Sequence, residues 1–382
     1  MTAPLRALLR PRTLTATLLG LASLTASLDD DRGKPADEPV AQAPVRPGAS
    51  GLDEPADRAR REALGQALDW LADEARSDPD GSWPVDDAQV QTKSAITALA
   101  SLALMSGGSL PDRGEHGVRV ARGVDYLLSR AVLDAQAEDR GLLGTLAASD
   151  SIMHSHGFAT LALAEAYAVS PASRRGARIA KALPLAVDLI ERSQGSEGGW
   201  MYQPRRVAEH EGSVTICLVQ GLRAARNAGI EVDGNVIARA EDYVRRSQAD
   251  DGLFRYELGS SQRTVALTAA AISTLNATGN YDDPAIRSGV DAIWRVLGQR
   301  ERGEAEPSRW PYYERFYLVQ TFWQLSEASH FERWYEDELE RVLATQASDG
   351  SWRDRRYGDA YATSMNALFL AVPDAQLPIL QR

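Results

Sequence analysis

The chain is 382 residues long, with a formal charge of −11 and a single cysteine, Cys217. An acidic chain without basic clusters or a nucleic-acid motif excludes phosphate-backbone binding and electrostatic docking on anionic membranes. One cysteine excludes a disulfide framework.

Residues 1–27 have the layout of an export segment. Arg6, Arg10 and Arg12 precede an apolar stretch carrying Leu14, Leu18, Leu19, Leu21 and Leu24, and Ala26-Ser27 offers small residues for cleavage. The run is too short for a comfortable membrane span. A periplasmic or extracellular protein is expected, with cleavage and an uncleaved anchor both open. Membrane contact is expected only through this segment. Residues 28–58 interleave Pro35, Pro39, Pro44, Pro47 and Pro55 with charges. Such a stretch buries too little apolar area to offset its ordering entropy, which predicts a disordered linker. The remainder, 59–382, is globular in composition.

Within it, apolar residues recur at the helical period. Val214, Cys217, Leu218, Gly221, Leu222 and Ala225 fall at i, i+3, i+4, i+7, i+8 and i+11. Six helix pairs are expected. First members lie near 61–76, 119–133, 179–194, 236–248, 284–299 and 333–346; second members lie near 92–105, 155–168, 213–227, 263–277, 312–328 and 361–372. No sustained period-2 alternation supports strands. Second members are rich in small residues, as in Thr268-Ala-Ala-Ala-Ile272, which suits a packed inner ring. First members carry more charge, as in Glu241-Asp-Tyr-Val-Arg-Arg246, which suits an outer ring.

A short phrase closes several first helices. It reads Gln194-Gly-Ser-Glu-Gly198-Gly-Trp200, Gln248-Ala-Asp-Asp-Gly252-Leu-Phe254 and Gln346-Ala-Ser-Asp-Gly350-Ser-Trp352. Ser77-Asp-Pro-Asp-Gly81-Ser-Trp83 keeps the spacing with Ser for Gln. The phrase degrades in the second unit, between Gln136 and Gly141, and in the fifth, where Trp310 follows Gln299 only distantly. Such repetition marks supersecondary units that bury their apolar faces on one another. The Gln, Gly and aromatic positions are therefore expected to be structural. The Gly permits the turn, and the aromatic packs on the Gln and ties the helices of a pair.

The Gln-x3-Gly-x-Trp phrase is similar to the QW repeat of squalene and hopene cyclases. The six pairs resemble the α/α toroid of terpenoid cyclases and protein prenyltransferase β subunits. From about Arg60 onward the chain resembles small bacterial prenyltransferase and squalene oxidase repeat proteins. The resemblance implies an all-α fold, an α6/α6 toroid whose central cavity takes an apolar small molecule or lipid. From the residues alone, an open solenoid stays open as the alternative.

The chemistry of those enzymes is harder to find. The Asp-x-Asp-Asp acid motif of class II cyclases is missing: Asp29-Asp30-Asp31 lies in the linker, and Asp86-Asp87 and Asp282-Asp283 lack a third aspartate at that spacing. The Asp-Asp-x-x-Asp diphosphate motif is missing too. The segment matching the zinc cysteine of prenyltransferases, Tyr312 to Tyr317, has no Cys, and Cys217 falls in an apolar stripe as a small hydrophobe. No metal and no cofactor is expected.

Polar residues remain where the second helices begin. His154, His156, His210, Glu211 and Asp359 are candidate catalytic acids or bases. Arg263, Tyr312, Tyr313, Arg315 and Tyr361 are candidate substrate contacts. Parallel inner helices would gather all of these at one rim. Helix capping by the histidines, and a structural ring of ion pairs joining the arginines to Glu211, Glu314 or Asp359, are the alternatives. Three functions fit. One is a cyclase- or transferase-like toroid that binds or transforms an isoprenoid or other lipid without the usual motifs. The second is a non-catalytic scaffold for a peptide, glycan or partner protein. The third is a glycan-cleaving α/α barrel using paired carboxylates.

Overall fold

Asp53 opens the first helix: its carboxylate accepts from the Ala56 N–H at 2.8 Å, and Pro55 occupies the first turn, where a missing N–H costs nothing. Helix α1 therefore spans Glu54–Ala72 and starts inside the stretch expected to be linker. The same proline that signals a linker in sequence is a helix-start residue here. The computed structural model describes residues 51–85, 92–146, 152–277, 279 and 283–378. The export segment, most of the linker, Asp86-Asp87 and Asp282 lie outside the described residues.

Eleven further helices follow: α2 Lys93–Ser106, α3 Gly117–Ser129, α4 Ile152–Val169, α5 Arg174–Ser193, α6 Gly212–Asn227, α7 Gly234–Arg246, α8 Val265–Ala277, α9 Pro284–Glu301, α10 Pro311–Gln324, α11 Ser329–Ala344 and α12 Asp359–Ala371. Among the described residues, β structure is limited to isolated bridges. The even-numbered helices form an inner ring. Each packs on the next, and α12 packs back on α2, so the ring closes. The odd-numbered helices lie outside, α1 against α12 and α2, α3 against α2 and α4, and so on round. Inner helices are enclosed on nearly every side; Ser94 through Ser106 of α2 are all buried. Outer helices bury one stripe, as Val236, Ala240, Tyr243 and Val244 do in α7. The described residues form an all-α toroid of six helix pairs. Among the described residues, no helix is long and apolar enough to cross a membrane.

The repeated phrase is the joint between units. Its aromatics are buried, and the indole N–H of Trp200 donates to the Ile190 carbonyl at 2.7 Å, satisfying the last turn of α5. Trp352 does the same to Val342 of α11 at 3.0 Å, and Trp83 to Leu71 of α1 at 3.1 Å. The backbone N–H of the aromatic donates to a threonine hydroxyl on the paired inner helix: Trp200 to Thr215, Phe254 to Thr268 and Trp352 to Thr363, at 3.1, 2.9 and 3.1 Å.

The glutamine reaches further than its aromatic. Gln194 Nε2 donates to the Gly198 carbonyl of its own phrase at 2.8 Å and to Val236 of α7, in the next unit, at 2.9 Å. Gln248 bonds Gly252 and Ala285 of α9 likewise. Gln346 bonds Gly350 and Ala63 of α1, both at 2.9 Å, joining the last unit to the first. Gly350 has φ +88°, and a Cβ there would lie 2.5 Å from the Gln66 carbonyl oxygen of α1. Where the first phrase has Ser77 for Gln, the buried Arg119 of α3 takes over and donates to the Gly81 carbonyl at 2.7 Å, its guanidinium lying over the Trp83 ring.

Candidate functional site

The N-terminal ends of the inner helices surround a cavity of about 780 Å³. Its deep wall is apolar, with Ile96 and Leu99 from α2 and Phe158 from α4. Tyr202, Tyr256, Tyr313, Tyr357 and Tyr361 stand around it. Trp310 and four arginines (Arg263, Arg300, Arg309 and Arg356) line its outer part with Glu306 and Glu314. Exposed Glu306, Arg309 and Arg356 mark where it meets solvent. Deeper in the barrel, Tyr317 O–H donates to Gln220 at 3.0 Å, and Gln220 Nε2 donates to Gln320 at 3.1 Å. These buried, paired groups join α6 and α10 beneath the cavity.

One buried carboxyl meets this wall. Glu211 caps α6 and is fully enclosed. Its oxygens accept from the Ser213 and Val214 N–H groups at 2.9 and 2.8 Å and from the Ser213 hydroxyl at 2.6 Å. Burial pushes its carboxyl up to about 7, outweighing those bonds, which favour the anion; the charge of Glu257 adds to the rise. His154 Nε2 lies 3.0 Å from Ser213 Oγ. With the serine proton directed at Glu211, Nε2 carries the imidazole proton and donates to Ser213. Burial pushes His154 down to about 4, so it is neutral near pH 7. Ser213 and His154 line the cavity and Glu211 does not. Glu211 therefore touches the cavity wall only through its bond to the Ser213 hydroxyl.

Among the other sequence candidates, Arg263, Tyr313 and Tyr361 also line the cavity, although Arg263 is paired with Asp251 at 2.6 Å. The rest stand elsewhere. His210 packs edge-on against Tyr243 of α7, ring centroids 4.8 Å apart. Asp359 pairs with Arg353 at 2.6 Å, and Tyr312 O–H donates to the Arg353 carbonyl at 2.8 Å. Arg315 binds Glu338 of α11 at 2.7 Å and Asn366 of α12 at 2.8 Å, tying helices together. The expected ring joining Arg263 and Arg315 to Glu211, Glu314 or Asp359 does not form; these side chains take other partners, because side chains around a helix start point outward as well as inward.

His156 sits in a joint between units. It is fully buried, its Nδ1 accepts from the Leu143 N–H at 3.1 Å, and its Nε2–H donates to the Ala186 carbonyl of α5 at 3.1 Å. Leu143 follows Gly141 as Trp200 follows Gly198, so His156 occupies the place that Thr215 holds in the next unit. Burial pushes the imidazole down to about 4, keeping it neutral. Replacing His156 by alanine orphans a buried N–H and a buried carbonyl, at an expected cost of about 1–3 kcal/mol for each. Threonine, the residue of four of the other five units, can still meet Leu143 and is expected to recover part of that loss in urea unfolding. Equal stability of His156→Ala and the unchanged protein would refute the joint.

Several lining residues lack a motif. Ser213 carries no signal beyond its place after Glu211. Tyr202 and Tyr256 do have one: each stands two residues after a phrase aromatic, and their hydroxyls meet at the cavity edge. Trp310 and Arg356 come from the turns preceding α10 and α12. Among the described residues, the group of His and carboxylate side chains close enough to share an ion is Asp69, Glu115 and His116, apart from the cavity.

No family model matches the sequence, and no curated protein does. Solved structures do. A variant of the type II terpene cyclase MstE from Scytonema, in complex with geranylgeranyl dihydroxybenzoate, is 16% identical with a TM-score of 0.55, covering 86% of this chain and 100% of its own. The GH76A α-1,6-mannanase from Salegentibacter sp. HEL1_6 is 8% identical with a TM-score of 0.57, covering 84% and 99%. Cellobiose 2-epimerase from Spirochaeta thermophila DSM 6192 is 16% identical with a TM-score of 0.56, covering 84% and 98%. At these identities the likeness establishes the shared fold, a terpenoid-cyclase-like α/α toroid.

Proposed function

We propose that the toroid binds an isoprenoid or similar apolar chain in its central cavity, and that Glu211, Ser213 and His154 form its proton-handling group. The apolar and aromatic lining carries the reading. Ile96, Leu99 and Phe158 offer a sugar no hydrogen bond, and about 780 Å³ falls within the range of small-molecule sites, roughly 300–1,000 Å³. Glycan cleavage takes two carboxyl groups facing one bond. Here Glu314 is engaged by Arg300 at 2.6 Å, and Glu211 faces the cavity only through Ser213. Of the toroids similar to this chain, the cyclase holds a geranylgeranyl compound and the mannanase acts on a glycan, so fold likeness does not choose between them. Residues 1–27 support a place outside the cytoplasm. Native mass spectrometry with geranylgeraniol and with α-1,6-mannotetraose separates the readings. The isoprenoid alcohol is expected to give a one-to-one complex and the tetrasaccharide none. The reverse result would transfer the cavity to glycans.

A further inference from the structure

We infer that the mouth of the cavity is an oxyanion site, built from Arg309, Arg356 and Trp310, that holds the carboxylate or phosphate head of an amphiphile whose chain fills the barrel. This rests on the cavity reading above and adds the chemistry of the head.

Arg356 lies over Trp310 with its guanidinium carbon 3.9 Å from the ring centroid, and Arg309 lies 5.5 Å from the same ring. Stacking uses the face of a guanidinium and leaves its N–H edge free to donate, the edge that matches a carboxylate or phosphate. Neither arginine has a carboxylate within salt-bridge distance among the described residues. The other two arginines of the lining are both engaged, Arg263 by Asp251 and Arg300 by Glu314. The lining thus carries four arginines against Glu306 and Glu314, in a chain whose overall charge is −11. Glu306 is exposed at the mouth, and its backbone carbonyl accepts from Arg300 Nε at 3.0 Å.

The surrounding helices add to this. The cavity is lined by the opening turns of all six inner helices, from Thr92 of α2 round to Tyr361 of α12, so their positive dipole ends converge on one space. A low-dielectric wall strengthens the field felt there. The local sequence explains why the feature arises at this point of the ring. The fifth unit lacks the repeated phrase, and its longer turn carries Arg309 and Trp310 across the mouth toward Arg356 and Tyr357, whose ring stacks on Trp310 with centroids 6.3 Å apart. A tryptophan buried as a joint in the first, third and sixth units becomes half-buried lining here.

Three probes of equal chain length read the head group directly: dodecyl phosphate, dodecanoate and 1-dodecanol, titrated by calorimetry into the full chain, with inorganic phosphate as a fourth. Both anionic probes are expected to bind about ten-fold more tightly than the alcohol or better, the scale of one charge-assisted pair. Arg309→Gln with Arg356→Gln is expected to bring them to the alcohol's affinity and leave the alcohol unchanged. Arg205→Gln with Arg206→Gln removes the same charge away from the lining and is expected to keep the preference. Equal affinity for all three probes, or a preference that survives the Arg309 and Arg356 changes, overturns the head-group site while the chain-binding cavity stands. Inorganic phosphate binding as tightly as dodecyl phosphate also overturns it. Failure of every chain to bind removes the cavity reading and this site with it.

Discussion

Trp200→Ala is expected to lower the stability of the toroid by about 3–5 kcal/mol, the usual cost of truncating a buried aromatic. The ring is 1% exposed, and its loss leaves both a void and an unpaired Ile190 carbonyl at the end of α5. Trp200→Phe is the informative companion. The fourth unit already uses Phe254, whose backbone N–H reaches Thr268 as Trp200 reaches Thr215. Phenylalanine fills most of the space and gives up only the indole bond, an expected cost of about 1–2 kcal/mol. Urea unfolding followed by far-ultraviolet circular dichroism gives both numbers. An unchanged midpoint in the alanine variant would take the aromatic out of the joint. Chain binding by the folded fraction should be unaffected, since Trp200 does not line the cavity.

The second large effect depends on pH. Glu211 holds its proton up to about 7 in the fold, against an ordinary value of 4.5. The native state therefore binds more protons than the unfolded chain across that window, and stability is lost as pH rises through it. The loss is on the order of 3 kcal/mol for a shift of this size. Glu211→Gln has no proton to lose. It gives up a hydrogen bond at one of the two N–H groups that the carboxylate accepts from, and its stability relative to the unchanged protein is expected to improve steadily from pH 4.5 to pH 8. Glu257, whose charge adds to the rise at Glu211, is present in both proteins. A stability difference that stays flat over that range would show an ordinary carboxyl.

The helices were legible because each leaves a periodic trace, and the pairing because the phrase recurs. The joint itself was only half legible. Trp200 ties outer to inner helix as expected, but Gln194 reaches Val236 of the next unit, a contact no local pattern announces. His156 shows the converse: a histidine at a helix start reads as chemistry, while its role follows from counting back to Leu143 and recognising the threonine position. Glu211 is informative in sequence only as an acid before a helix; its enclosure by α6 and neighbouring units is tertiary. Arg315 and Asp359 begin the right helices but face other partners, because a ring of helix starts has an outside as well as an inside.

Closure through Gln346 and Ala63 changes how the molecule can come apart. In a linear array the end units have one neighbour and loosen first, and stability accumulates along the chain. Here α1 also holds the far end: Arg60 is buried, donates to the Leu370 carbonyl at 2.6 Å and pairs with Asp374 at 2.9 Å. No unit is terminal, so each unit has a packed neighbour on both sides in the inner ring. Amide protection should be shared round the inner ring rather than graded from its ends, and a protease would find the described termini no easier to peel away than the middle.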